Sequence, residues 1–84
     1  MLVLTRDVGD MVVIDGDITA TVLKIGHGYC DIQLSHRDGR AIEAMTLRLG
    51  MSRHELAHGV WCRLLKVTPQ GKARLGFEAP ECIY

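Results

Sequence analysis

The chain has 84 residues with ten basic and ten acidic side chains, a formal net charge of zero, 48% hydrophobic residues, one Phe and one Trp. A chain of this length forms one domain at most and is often completed by oligomerisation, and its apolar content excludes disorder and points to an aliphatic core. No apolar run approaches the roughly 18 residues of a membrane span, the start lacks a signal-peptide pattern, and the three cysteines (30, 62 and 82) have no CxxC spacing; together these suggest a cytoplasmic, reducing location with buried thiols.

In chain order, Leu2-Val3-Leu4-Thr5 and Met11-Val12-Val13-Ile14 read as short strands separated by the turn Asp7-Val8-Gly9-Asp10. After Asp15-Gly16-Asp17, "ITATVLKI" (18–25) alternates threonine with apolar residues, and "GHGY" turns it into "CDIQL", with Cys30, Ile32 and Leu34 on one face. The first 35 residues are thus expected to form a β-meander.

The pattern then changes. Ile42, Met45 and Leu49 fall at helical spacing with Gly50 as a C-terminal cap, and Ser52 followed by Glu55 has the form of a capping box. The expectation is a helical insertion at about 37–59. Strand patterning resumes in "VWCRLLKV" (60–67) and "KARLGFEAP" (72–80). "ITATVLKI" and "VWCRLLKV" lie 42 positions apart and, with the strands that follow them, resemble two copies of one hairpin. The expected fold class is mainly β with this helical insertion.

Neutral overall charge conceals an asymmetry. Residues 1–35 carry two bases and five acids, whereas residues 37–74 carry eight bases and three acids. One basic face on a neutral protein favours a polyanionic ligand.

His54, His58 and Cys62 would align as metal ligands on one continuous helix, but Gly59 interrupts it, so no metal site is expected. His54-Glu55 lacks the second histidine of a zinc protease, and neither a Ser, His and acid cluster nor a phosphate-cradling glycine loop is present, so neither an enzyme nor a cofactor is expected. Leu49-Gly50-Met51-Ser52 resembles the turn of a DNA-reading helix-turn-helix. An inserted helix packed on the β-core is the plainer reading. Trp61 is read as a core or interface residue, and Lys72 and Arg74 as strand charges able to meet RNA.

The opening "MLVLTRDVGD" resembles the start of the carbon storage regulator (CsrA/RsmA) family, through Leu4-Thr5-Arg6 and Val8-Gly9-Asp10; "DITATVLKI" and "ARLGFEAP", with Gly76, Ala79 and Pro80, are similar to later strands of that family. The resemblance covers residues 1–35 and about 60–83. It implies one such domain over 1–84, forming a small antiparallel, barrel-like homodimer in which the first strand of one subunit lies beside the last strand of the other. It also implies an RNA-binding translational regulator of repressor type, whose partners are GGA-containing loops in messenger leaders and small regulatory RNAs. Carried over by position, Leu4, Thr5, Arg6, Ala79 and Pro80 form the RNA-binding set, with Arg74 beside them. The chain departs from the family at Asp7, where an arginine is common, and in lacking a last-strand arginine, for which Arg37, Arg40, Arg48 or Arg53 would have to substitute. A protein-interaction module that pairs with or antagonises a regular family member is the main rival. A strand-end arginine suits RNA because its planar fork grips phosphate in a bidentate manner at any physiological pH.

Overall fold

The computed structural model describes residues 1–78 except Asp15, Asp17, Ser52 and His58, and of Ala57 the backbone only. Eight strands follow one another: β1 (Leu2–Arg6), β2 (Met11–Ile14), β3 (Ile18–Gly26), β4 (Tyr29–His36), β5 (Ala41–Arg48), β6 (His54–Ala57), β7 (Val60–Val67) and β8 (Ala73–Glu78). They form two four-stranded sheets, ordered β1-β8-β7-β6 and β2-β3-β4-β5, and every pairing is antiparallel. No helix among the described residues is long and apolar enough to cross a membrane.

Of the predicted meander, β2, β3 and β4 are consecutive neighbours in one sheet, but β1 pairs with β8 in the other, and the helical insertion is absent. Residues 41–48 pair with β4 and residues 54–57 pair with β7. The helical spacing was misleading because it selects Ile42 and Leu49, both more than 40% exposed, whereas the strand buries Leu47. An isolated helix of about eight residues is marginal in water, whereas the free edge of β4 supplies a full ladder of hydrogen bonds. The helix-turn-helix reading fails for the same reason: Leu49-Gly50-Met51 connects two strands, and Gly50, with φ of 80°, serves that turn. Ser52 of the proposed capping box lies outside the described residues, and Glu55 sits in β6 opposite Trp61.

Alternation along the strands sends one set of side chains from both sheets into a single aliphatic core. Val12, Ile14, Ala20, Val22, Cys30, Ile32, Leu34 and Leu47 from one sheet meet Leu56, Val60, Cys62, Leu64, Ala73, Leu75 and Phe77 from the other. The chain crosses between sheets at residues 7–10, where Gly9 N–H donates to the Val22 carbonyl at 2.8 Å and Val22 N–H donates to the Asp10 carbonyl at 3.0 Å. It crosses back after β5, where Leu49 N–H donates to the Gly28 carbonyl at 2.9 Å. As a result the strand beside β1 is the chain's own β8, with Leu4 opposite Leu75 and Arg6 opposite Ala73.

Phe77 is the largest fully buried side chain among the described residues. Phe77→Ala should cost about 3–5 kcal/mol, read as a lower urea midpoint at unchanged slope.

The core thiols give a second expectation. Burial, and to a lesser extent the Asp31 carboxylate, raises Cys30 from 9.0 to about 11, while burial and then Cys30 raise Cys62 from 9.0 to about 12. The folded state holds these protons more tightly than the unfolded state, so their contribution is complete below pH 9.0 and is lost as pH rises through about 11 and 12. The urea midpoint should therefore fall above pH 9, and the Cys30→Ala/Cys62→Ala variant should fall less steeply over the same range.

Candidate nucleic-acid interface

The outward face of the β1-β8-β7-β6 sheet carries Arg53, Arg63, Lys66 and Arg74, four of the eight bases of residues 37–74. Arg63 lies between buried Cys62 and Leu64, and Arg74 between buried Ala73 and Leu75, so strand alternation turns both away from the core. Register then arranges them in rows across the sheet. Thr5, Arg74 and Lys66 make the first row, and Val3, Gly76 and Arg63 the second. Glu78, Trp61 and Glu55 follow in the third.

The first row is electrostatically unfavourable as it stands. Lys66 is directly opposite Arg74, and like charges opposed across a ladder destabilise it. Among the described residues the ion pairs are Arg40 with Asp38 and Arg53 with Glu78, so none relieves Arg63, Lys66 or Arg74. Arg53 occupies the far end of the face, where its guanidinium bonds Glu78 and lies 4.7 Å from the centroid of the half-buried Trp61 ring. Between the two ends, beside Arg63, the surface carries apolar side chains. A Cβ on Gly76 would sit 2.6 Å from Met1 Sδ and 3.2 Å from Leu65 Cδ1, which shows how closely those side chains cover the backbone there. Lys66 also borders a groove of about 580 Å³ between the two hairpin tips, lined by Ile25, His27, Leu49, Thr68 and Pro69.

The residues expected from the sequence divide between positions. Thr5 and Arg74 are register partners on the outward face. Leu4 is half-buried and packs against the core, so it offers the face only its backbone. Arg6 alternates to the opposite side from Thr5, is half-buried, and donates a hydrogen bond to the Thr5 carbonyl at 3.0 Å. Ala79 and Pro80 lie outside the described residues. Asp7 serves the local fold, since its carboxylate accepts the Val8 N–H at 2.8 Å and Asp10 accepts the Asp7 N–H at 2.9 Å, which together shape the β1–β2 turn.

Of the four substitute arginines, only Arg53 reaches this face. Arg40 is engaged with Asp38, whose carboxyl is held below the usual range first by the Arg40 backbone N–H and then by its guanidinium. Arg48 lies 5.9 Å from the centroid of the Tyr29 ring on the other sheet, and Arg37 lies in the β4–β5 turn. His54 faces Cys62 across β6 and β7, His58 lies outside the described residues, and no group of three potential metal ligands occurs among the described residues. Sequence reading missed Arg63 and Lys66 as site residues. Alternation in "VWCRLLKV" places Arg63 with Trp61, but the approach of Lys66 to Arg74 depends on a register shift between Leu64 and Lys66.

Compared with known proteins, the chain matches no family model, no curated protein and no solved structure.

A surface that opposes two cations should gain stability when one is reversed. Arg74→Glu creates an opposite-charge pair with Lys66 and should stabilise the fold by about 0.2–1 kcal/mol, measured by urea denaturation at low salt and diminishing at high salt.

Proposed function

We propose that this protein binds single-stranded RNA loops on the outward face of the β1-β8-β7-β6 sheet and acts thereby as a post-transcriptional regulator. The observation that carries the reading is the Lys66–Arg74 opposition, with Arg63 one row away and no carboxylate pairing any of the three among the described residues. RNA phosphates would turn this local repulsion into attraction. Unstacked bases find apolar and aromatic surface on the same face, at Val3, Leu65 and Trp61, and polar strand-edge groups along β1. The regulatory role, the GGA-containing loop as target and the messenger leader as partner rest on the resemblance of Leu4-Thr5-Arg6, Val8-Gly9-Asp10 and Gly76 to the carbon storage regulator family.

The test is fluorescence anisotropy with a GGA-containing RNA hairpin and a GGA-to-CCA control. The expected result is tighter binding of the GGA hairpin, with Arg63→Ala and Arg74→Ala each weakening it several-fold and each reducing the salt slope by about 0.7. Arg6→Ala should cost less than either, because Arg6 lies on the other side of β1. Equal, negligible binding of both hairpins would refute RNA recognition and leave the protein-interaction module as the surviving reading.

A further inference from the structure

We infer that the chain is two copies of one four-strand unit, residues 2–36 and 41–78, that exchange their first strands within a single polypeptide, and that only one of the two resulting sheets carries an RNA face. The inference rests on the RNA reading above and names its stoichiometry and its side.

The sheets are built alike, strand for strand. In one, β2-β3-β4 receives β5 at its end; in the other, β6-β7-β8 receives β1. The first strand of each unit therefore completes the other unit's sheet. Register agrees over most of the ladders, the exception being a shift between Glu55 and Ala57 that β2–β3 lacks. Leu4 opposite Leu75, Thr5 opposite Arg74 and Arg6 opposite Ala73 correspond to Met45 opposite Ile32, Thr46 opposite Asp31 and Leu47 opposite Cys30. Val22 opposite Ile32 corresponds to Leu64 opposite Leu75, and the ladder shifts at the same place in both, between Val22 and Lys24 and between Leu64 and Lys66. On the outer strands, Val12 opposite Ala20 corresponds to His54 opposite Cys62. The turns repeat as well: Asp10 N–H donates to the Asp7 carbonyl as Met51 N–H donates to that of Arg48, and Gly9, Gly16 and Gly28 recur as Gly50, Gly59 and Gly71, all at positive φ. The remaining positive-φ glycine, Gly39, lies in the turn that joins the units.

The equivalent positions have diverged in charge. Lys24 and Lys66 occupy the same place beside the ladder shift, but Lys24 faces Asp31 and Lys66 faces Arg74. Asp31 also accepts a hydrogen bond from the Thr46 hydroxyl at 2.6 Å, so that row holds a carboxylate with a partner of its own. Thr21 stands where the other sheet has Arg63, and Thr19 where it has Trp61. On one face Lys24 and Arg48 each lie 5.9 Å from the centroid of the Tyr29 ring, and a carboxylate, Asp31, stands in register with Lys24, whereas on the counterpart face Lys66 meets Arg74 with no carboxylate in that row.

The experiment compares Lys24→Glu with Lys66→Glu in the full chain, using the GGA hairpin as probe and native mass spectrometry for stoichiometry. The expected native species is one chain with one RNA. Lys66→Glu should weaken binding about tenfold, as for loss and reversal of a phosphate contact, and Lys24→Glu less than twofold. Thr21→Arg/Asp31→Arg should add a second RNA per chain if it folds, and the two lysine variants decide the matter if it does not. Two RNAs on the native chain, equal losses from the two lysine variants, or a requirement for a second copy of the chain would overturn this inference while leaving RNA binding intact. Absence of RNA binding by the native chain overturns the parent reading and this one together.

Discussion

The pairing of β1 with β8 is the constraint on which the rest of the structure depends. It joins residues at the two ends of the described chain, Leu2 opposite Phe77, and places the first strand in a different sheet from the strand that follows it. Without β1, strand β8 would be an edge with an unpaired ladder, and the core around Leu75 and Phe77 would lose the cover of Leu4. Closing so long a loop carries an entropic cost that grows only slowly with length. Burial of the apolar faces on both sides of the core offsets it, so a long-range pairing can hold a small domain closed.

The same pairing positions the candidate interface. Thr5 comes beside Arg74 only because β1 lies on β8, and Lys66 comes beside Arg74 only because the β7–β8 ladder shifts by one residue. On this face fold stability and the proposed RNA binding would pull in opposite directions. A carboxylate at Arg74 would suit the isolated fold better, as Asp31 does at the matching place in the other sheet. Retaining an arginine there is consistent with a ligand that brings its own negative charge. Asp7 and Asp10 pull the other way near the same edge, but their carboxylates are committed to turn N–H groups.

Strand existence was legible wherever composition and alternation agreed, as in "ITATVLKI" and "VWCRLLKV". It was illegible in "AIEAMTLR", which contains good helix formers and whose Ile42, with Leu49 just beyond it, mimics a helical stripe. Their exposure in the fold shows that the spacing there reflected no buried face. The hairpin repeat was visible in outline, but its full extent was not, because β5 and β6 share few residue identities with β1 and β2. What the copies share is register and turn geometry.

From the sequence alone followed an aliphatic, mainly β domain, buried thiols, glycine-bearing turns and a basic second half, since each depends on residue type and local alternation. Only the tertiary structure decided that residues 41–48 and 54–57 are strands, that β1 lies beside β8, and that Arg63, Lys66 and Arg74 share one outward face while Arg6 turns to the other side. The physical reason is that strand partners and register are non-local. A single-residue shift in a ladder changes which side chains meet, and no local residue pattern encodes it.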